Sequence, residues 1–444
     1  MSSTYLERTA SAGNRQTWTW SGWVKRGPVS GNQSLFTSRT SGSAYGTIRL
    51  EDAKLHIFDI STSFSYQVKT NRELRDPNGW YHFVVAFDTT QATASDRVKM
   101  YINGKLETSL LENTYPSENY NGDINKATAH YIGQGGNLGD RFSGSMSHIH
   151  FTDGYAYDAS TFGSTDSTTG EWKIKTSPSV TYGTNGFFIL KDGNSVTDQS
   201  GQGNNWTVGG GTLTKTEDNP SNVFATLNPL YAKPQSNPSE LTNGNTGVIG
   251  GSAHRADVPT IAVNSGKYYM EAKAISGNTT KWWWGLGEEE VVQNKQNLGN
   301  TDNFIYGDVN KTQGVYNNNL VVNGSTTISS IFGGAVSAND IVMLAVDLDN
   351  QKVWYGLNGT WNNGSASQST TFNSAYPDST ALTAGDYYYI GVGNENTKWH
   401  TNYGNGYFGT TAVSSAGTNA SNIGIFEYDV PTGYTALSTK GLNE

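Results

Sequence analysis

The feature that most constrains the fold of this chain is a two-residue alternation of aromatic and polar side chains. Residues 18–27 read WTWSGWVKRG, which puts Trp18, Trp20 and Val24 on one side of an extended chain and Trp23 on the other. Side chains alternate in this way only along a strand. We see no clean helical stripe elsewhere in the chain, so we predict an all-β protein. Aromatics on one face of a strand usually pack inward, so these tryptophans are expected to be mostly core.

The same pattern recurs along both halves of the chain, with turn signals between the strands. Asn103-Gly104 and Asn358-Gly359 are dipeptides preferred in tight hairpins, and DLDNQKVW (347–354) predicts another hairpin. We expect strands at 17–25, 45–50, 54–58, 65–69, 80–88, 97–102, 130–132, 144–151, 186–190, 267–275, 282–286, 341–347, 352–357, 387–391 and 398–403.

Length and composition set the domain organisation. A chain of 444 residues is long enough for two or three domains. Four of the eleven prolines fall between residues 216 and 242, which predicts an extended connector. We therefore expect one domain over 1–215 and a second over 243–444.

Charge and hydropathy argue against several classes of partner. The net charge of −9 and the absence of a basic tract disfavour binding to a phosphate backbone. No apolar run approaches the roughly 20 residues of a membrane span, so neither nucleic-acid binding nor membrane insertion is expected. The first residues, MSSTYLERTASAGNRQ, lack the apolar region of a signal peptide. We expect synthesis in the cytoplasm, where the chain stays unless it leaves by a route that needs no signal peptide.

The sequence offers no clear catalytic arrangement. Jelly-roll glycosidases need two carboxylates flanking the scissile bond, and the nearest approach is Glu427 and Asp429, which lie in the second half of the chain. The seven histidines do not suggest a nucleophile with its base. We therefore expect no enzymatic activity and no cofactor.

Metal sites have weak support. The chain has no cysteine, which excludes thiolate ligands. His148 and His150 share one face of a predicted strand, but nearby they have only Asp153. Oxygen ligands for calcium could come from Asp192, Asn194 and Asp198, although residues of these types also build ordinary turns.

The first half of the chain resembles LamG, concanavalin A-like jelly rolls. The matching pieces are WTWSGWVKRG, NGWYHFVVAFD (78–88), VKMYINGKLE (98–107) and FSGSMSHIHFTDGYAYD (142–158). They occur in the order that the family shows and cover roughly residues 1–175. The resemblance implies a β-sandwich.

The second half resembles SPRY domains over roughly residues 250–440. Its pieces are GKYYMEAKAISGNTTKWWWGLG (266–287), NDIVMLAVDLDNQKVWYGLNGTW (339–361), TKWHTNYGNGYF (397–408) and PTGYTAL (431–437). This resemblance also implies a β-sandwich. The predicted fold is therefore two jelly-roll sandwiches, LamG-like and then SPRY-like.

The order of the two domains resembles virion proteins of tailed bacteriophages, especially marine ones. Between the domains lie DGNSVTDQSGQGNNW (192–206) and DNPSNVFATLNPL (218–230), which fit the same resemblance. It implies a place on the surface of a phage particle, contacts with other virion proteins, and a homo-oligomer, because virion positions are symmetric.

Exposed aromatics are the candidates for binding. Within WWW (282–284), strand alternation sends Trp283 to the face opposite its two neighbours, so one of the two faces should lie outside the core. The triplet Tyr387-Tyr388-Tyr389, with Tyr388 at its centre, repeats this logic, as do Trp361 and Trp399 near the ends of loops. The competing interpretation is packing between domains or subunits.

Two functions follow as expectations. The first is a tail-fibre or receptor-binding adhesin, which uses exposed rings to bind a host surface glycan or protein. The second is a structural decoration or adaptor protein attached to the capsid or tail, which would bury its aromatic surface against neighbouring subunits.

Overall fold

The chain folds into two compact units, Met1–Lys215 with Asn219–Ser221, and Thr216–Asp218 with Asn222–Glu444. The computed structural model describes residues 4–191, 193, 195–231, 239–252, 255–277, 281–291, 311–316, 318–365 and 368–443. Each unit contains two large antiparallel sheets with a hydrophobic core between them. The predicted all-β fold with two sandwiches is confirmed.

The regular elements of the first unit are almost all strands. They are β1 Tyr5–Thr9, β2 Thr17–Arg26, β3 Asn32–Arg39, β4 Ala44–Glu51, β5 Lys54–Ser61, β6 Ser63–Thr70, β7 Tyr81–Asp88, β8 Val98–Ile102, β9 Lys105–Leu106, β10 Leu110–Thr114, β11 Ala129–Ile132, β12 Gly144–Asp153, β13 Gly163–Thr165, β14 Trp172–Ile174, β15 Phe187–Ile189 and β16 Thr207–Gly210. Short 3-10 helices occupy Ala94–Asp96 and Ala159–Thr161.

Two sheets form the first sandwich. One has eight strands in the order β10-β6-β5-β4-β3-β11-β1-β16, and the other has six in the order β15-β12-β2-β7-β8-β9. Trp18 and Trp20 on β2 point into the core between the sheets and are fully buried. Trp23 lies on the opposite face of β2 and is also buried, because its ring stacks on His82 at 4.8 Å between ring centroids. The prediction that these three tryptophans are structural is confirmed.

The second unit repeats the architecture with other strands. They are β17 Glu240–Thr242, β18 Gly247–Ile249, β19 Arg255–Asp257, β20 Lys267–Gly277, β21 Trp282–Glu288, β22 Thr312–Tyr316, β23 Asn319–Val322, β24 Ser325–Ile328, β25 Ile341–Asp347, β26 Lys352–Leu357, β27 Thr360–Trp361, β28 Tyr388–Asn394, β29 Thr397–Asn402, β30 Tyr407–Phe408, β31 Thr411–Ala412 and β32 Thr435–Ala436. Short 3-10 helices occupy Asn363–Ser365 and Gly441–Asn443.

The second sandwich has hydrophobic residues on both faces of its larger sheet. Strands β17-β18-β29-β20-β25-β26-β27 form that sheet, with β32 beside β20, and β19-β28-β21-β22-β23-β24 form the smaller one. Met270 and Leu344 point into the core between the sheets. Tyr269 and Met343, one residue before each of these, point to the other face and join a second buried cluster with Phe426. The segment around Phe426 therefore covers a face that would otherwise meet water.

The proline-rich stretch also packs into the second unit. Phe224 pairs with Ser438 and is buried in the second cluster, while Leu227 pairs with Pro259 and is buried in the main core. Residues 232–238, which hold Pro234 and Pro238, lie outside the described residues. The described part of the 216–242 segment is thus held along a domain by its apolar side chains.

The turn signals identify real hairpins. Asn103 and Gly104 both have positive φ (49° and 79°) and join β8 to β9. Asn358 and Gly359 have φ values of 49° and 81° and join β26 to β27. Two residues of positive φ are what a two-residue type I′ turn requires, so asparagine and glycine are favoured there. Asp347 pairs with Lys352, which confirms the predicted hairpin in DLDNQKVW.

Candidate binding site

The outer face of the eight-stranded sheet in the first unit carries a cluster of polar and aromatic side chains. Strand register brings them together: Arg49, His56 and Lys69 are cross-strand partners in one row. Thr47 and Phe58 form the neighbouring row. We call this cluster the β4–β6 face and define it by one set of residues. They are Tyr45, Arg49, Glu51, His56, Phe58, Phe64 and Lys69.

One carboxylate organises the charges of the β4–β6 face. Glu51 accepts hydrogen bonds from His56 Nδ1 at 2.9 Å and from Lys69 Nζ at 2.8 Å. It also pairs with Arg49, whose Nη1 lies 3.5 Å from an Asp140 oxygen. Two cations therefore meet two carboxylates, and the formal charge of the face is balanced.

The protonation states of this cluster follow from its contacts. The hydrogen bond from His56 holds the pKa of Glu51 well below its usual range, with further help from Lys69 and Arg49. Burial lowers the pKa of His56, although its bond to Glu51 opposes that shift. Glu51 is therefore ionised and His56 is neutral at pH 7. In that state His56 Nδ1 donates to Glu51.

Aromatic rings adjoin the charges. The Phe64 side chain is 44% exposed, and its ring meets that of Phe58 edge-on at 5.1 Å between centroids. Tyr45 lies 5.8 Å from Phe58 on the other side, and the Arg49 guanidinium sits 4.7 Å above the Phe58 ring. Such a surface offers one open ring beside hydrogen-bonding groups that are already fixed in position. Two of its buried polar atoms, Arg49 Nε and His56 Nε2, have no hydrogen-bond partner among the described residues.

The four aromatics predicted as exposed binding residues are buried, so that expectation is wrong. Trp283 is 0% exposed and stacks on Tyr316 at 4.7 Å, and Trp399 is 1% exposed and meets Trp282 edge-on at 4.6 Å. Trp361 is 3% exposed because it belongs to the second buried cluster.

Tyr388 is the fourth of these residues, and it is 1% exposed within the main core. Its hydroxyl accepts a hydrogen bond from the backbone N–H of Thr383 at 2.8 Å. The exposed ring of that tyrosine triplet is Tyr387, at 48%. Tyr387 and Tyr388 lie on opposite faces, as strand alternation predicts. Alternation does not tell which of the two faces is covered by other segments.

The weak metal candidates do not come together as a site. Among the described residues, no group of three or more histidine, aspartate or glutamate side chains is placed to hold a metal ion. His150 Nδ1 bonds instead to the Tyr182 hydroxyl at 2.9 Å. Asp198 accepts hydrogen bonds from the backbone N–H groups of Phe188, Ser200 and Asn204, as a turn-forming residue would.

Two further predicted residues, Asp192 and Asn194, lie outside the described residues. Glu427 and Asp429 serve local turns, since they accept hydrogen bonds from Ser414 and Thr418 respectively. Within the described ranges, no helix is long and apolar enough to cross a bilayer.

Sequence analysis missed the β4–β6 face. Its signal was present as alternation: positions 45, 47, 49 and 51 share one face of β4, while Ile48 and Leu50 share the other. The polar face of an ordinary strand looks the same, however. Only the register that aligns Arg49 with His56 and Lys69 shows that the charges meet.

One known protein family matches the part of the chain that forms the first sandwich. Residues 2–159 match the Laminin_G_3 family, described as "Concanavalin A-like lectin/glucanases superfamily". No curated protein matches the chain.

Solved structures of low identity resemble parts of the chain. The SPRY domain of human HERC1 is 16% identical, with a TM-score of 0.28, and the match covers 39% of this chain and 96% of that domain. A heptameric SAP-like pentraxin from Limulus polyphemus is 16% identical, with a TM-score of 0.25 and coverage of 35% and 71%. The CBM40 module of the Ruminococcus gnavus IT-sialidase is 13% identical, with a TM-score of 0.24 and coverage of 33% and 80%. Such low TM-scores carry no argument about function, and none of these matches indicates a bacteriophage origin.

Proposed function

We propose that the protein is a non-catalytic adhesin whose first sandwich binds an oligosaccharide on the β4–β6 face. The observation that carries the proposal is the exposed Phe64 ring beside the fixed Arg49–Glu51–Lys69 charges. An open aromatic ring offers a flat apolar surface to a sugar ring, and fixed polar groups supply orientation. The match of residues 2–159 to a family of lectin-like domains supports the same class of ligand.

The balanced charge of the β4–β6 face favours a neutral glycan over a strongly charged one as the ligand. Glu51 and Asp140 offset Arg49 and Lys69, so a strongly anionic chain would meet as much repulsion as attraction. Sugar hydroxyls can both donate and accept, so they can pair with either sign of charge.

The protein's place on a phage particle belongs to the same proposal and rests on the resemblance in domain order. An adhesin of this kind would sit at the virion surface as a homo-oligomer and attach the particle to a host glycan. In that role weak single sites would gain strength from the number of copies.

The first test is binding of purified full-length protein to an array of neutral and charged glycans, followed by calorimetry on any hit. We expect Phe64→Ala to weaken binding at least about tenfold, which corresponds to about 1.4 kcal/mol. Leu111→Ala is the matched control, since Leu111 is also exposed, at 53%, on the same sheet but outside the β4–β6 face. Equal affinity of the wild type and Phe64→Ala would refute the site.

A structural decoration or adaptor role is the second candidate, and the edges of the eight-stranded sheet favour it. Leu111 on β10 and Val208 on β16 are 53% and 45% exposed, and β10 and β16 are the two terminal strands of that sheet. Open edges with apolar side chains are suited to pairing with another chain. Failure to bind any glycan or host cell, together with assembly into particles, would favour this role.

A further inference from the structure

One indole holds the β13–β14 hairpin of the first unit to the outer face of the six-stranded sheet. Trp172 Nε1 donates a hydrogen bond to His82 Nδ1 at 3.0 Å, and the two rings stack with centroids 6.0 Å apart. Trp172 also packs against a small buried cluster that contains Val84 and Phe162. The hairpin therefore covers this face of the sheet largely through one side chain.

The two hydrogen bonds of His82 fix it in one neutral form. An indole N–H can only donate, so His82 Nδ1 must be an unprotonated acceptor. The other ring nitrogen, Nε2, lies 2.9 Å from the Ser21 hydroxyl and carries the hydrogen. His82 is 1% exposed, so water cannot replace either partner. A second proton on the ring would set an N–H of His82 against the N–H of Trp172.

Two glycines leave room for the Trp172 ring. A Cβ at Gly104 would lie 2.4 Å from a ring carbon of Trp172, and one at Gly163 would lie 2.5 Å from another. The ring thus rests on backbone in both places. By contrast, Thr165 and Lys173 in the same hairpin are exposed. The hairpin is therefore held to the sheet mainly by the contacts of Trp172, of which the hydrogen bond to His82 is one.

We propose that Trp172 and His82 form an acid-sensitive latch. A proton taken up from solvent at His82 Nδ1 removes the acceptor for the Trp172 indole, and the β13–β14 hairpin leaves the sheet while the sandwich stays folded. Release would uncover the small buried cluster that contains Val84 and Phe162.

Burial and the ionisable groups around His82 decide how strongly acid favours release of the hairpin. Burial, with a smaller effect from the charge of His148, lowers the pKa of His82 to about 3 while the hairpin is closed. A solvated histidine titrates near 6.5, so opening restores an ordinary pKa and acid favours the open form. The charge of His148 acts on His82, and His82 acts on His150, both on β12. By strand register, Lys25 on β2 and Tyr101 on β8 are the ionisable residues on the same face of the two strands that flank β7.

The two pKa values of His82 set the size of the expected change in the ratio of open to closed hairpin. With a pKa of about 3 when closed and about 6.5 when open, the ratio of open to closed hairpin should rise about 25-fold from pH 7 to pH 5. That change should appear in the amides of the hairpin, because a two-stranded hairpin away from its sheet is marginally stable at best. Strand β7, which carries His82 inside the sheet, should stay more protected than the hairpin.

The test is hydrogen exchange with mass spectrometry on the full-length protein at pH 7 and pH 5, corrected for intrinsic exchange rates. We expect about a 25-fold loss of protection over residues 163–175, while β7 stays more protected than the hairpin at both pH values. His82→Asn keeps an acceptor near the position of Nδ1 but cannot be protonated in this range, so its hairpin should show no pH dependence. Trp172→Phe should be open already at pH 7.

Three outcomes would overturn the latch. They are a hairpin whose protection does not change with pH, a hairpin and a β7 with equal protection at pH 5, and a Trp172→Phe hairpin as protected as the wild type at pH 7. His130→Gln serves as a control, because His130 is also buried with a lowered pKa but lies in the other sheet. That variant should leave the release of the hairpin unchanged.

Discussion

Glu271 is a charged residue that is completely buried in the second unit, and every oxygen of its carboxylate has partners. It accepts hydrogen bonds from the Tyr269 hydroxyl, the Asn402 amide and the backbone N–H groups of Glu427 and Tyr428. Burial raises its pKa to about 7, and these donors oppose that shift. The carboxylate therefore fastens the 426–428 segment over the outer face of the larger sheet.

Glu271→Gln should destabilise the second unit by about 2–3 kcal/mol, the usual effect of unpairing buried hydrogen-bonding groups beside a charge. The side-chain amide turns one acceptor oxygen into an N–H that faces other donors. Urea unfolding of the second unit would measure the change. Glu290→Gln is the control, because Glu290 is exposed on the same unit and its loss should change stability by less than about 0.5 kcal/mol. Equal effects of the two variants would contradict this account of Glu271.

At the scale of elements, the β8–β9 turn and the β13–β14 hairpin depend on each other through one glycine. Gly104 has a φ of 79°, which L-residues rarely adopt, and its missing side chain makes room for the Trp172 ring. Gly31 has a similar φ of 75° but open space where a Cβ would be. Substitutions at these two glycines therefore separate the cost of backbone strain from the cost of a steric overlap with Trp172.

Gly31→Ala should cost about 1 kcal/mol of the first unit's stability from backbone strain alone. Gly104→Ala should cost about 1–3 kcal/mol more, because the added methyl group overlaps the indole. Thermal unfolding of each variant gives these differences. Hydrogen exchange should also show looser β13 and β14 strands in Gly104→Ala only. Identical losses in the two variants would mean that the Trp172 contact contributes nothing.

Local pattern predicted the strands well, since alternation and turn residues are local properties. Strand β2, the hairpin at Asn103-Gly104 and the hairpin after β25 all formed where the sequence indicated. Exposure was predicted badly, because it depends on what covers the second face of a sheet. Trp361 is buried against Tyr269, which lies on the distant strand β20, and against Phe372, in a cluster that also holds Phe426. Alternation alone cannot reveal such covering layers.

The candidate site fails to appear in the sequence for a related reason. Arg49, His56 and Lys69 become neighbours through pairing across three strands. Each lies in a strand that was predicted, but their order in the sheet was not. A prediction that fixed the register of β4, β5 and β6 would have placed these charges in one row.

At the scale of the whole molecule, the two units differ in their buried ionisable groups. Histidines with lowered pKa values predominate in the first unit, and acids with raised pKa values predominate among the described residues of the second. In the first unit, burial lowers the pKa of His82 to about 3 and of His130 to about 4, and it also lowers those of His56 and His150. Two acids oppose them: burial raises the pKa of Asp59 to about 7 and also raises that of Glu107. Among its described residues, the second unit has His400, with a pKa lowered to about 4, against two acids with raised pKa values. Those acids are Glu271 and Asp378.

The two units should therefore respond differently when the pH falls from 7 to 5. A histidine kept neutral by the fold binds its proton only after unfolding, so its contribution is complete above pH 6.5 and falls by about 1.4 kcal/mol per pH unit below that. A buried acid with a raised pKa acts in the opposite sense, since the folded state holds the proton more tightly. Four histidines against two acids predict a first unit that loses several kcal/mol, while one described histidine against two acids predicts a second unit that holds or gains stability. Calorimetry of the full chain would follow both transitions, and Glu271→Gln would identify the second. Parallel shifts of the two transitions would contradict the assignment of these protonation states.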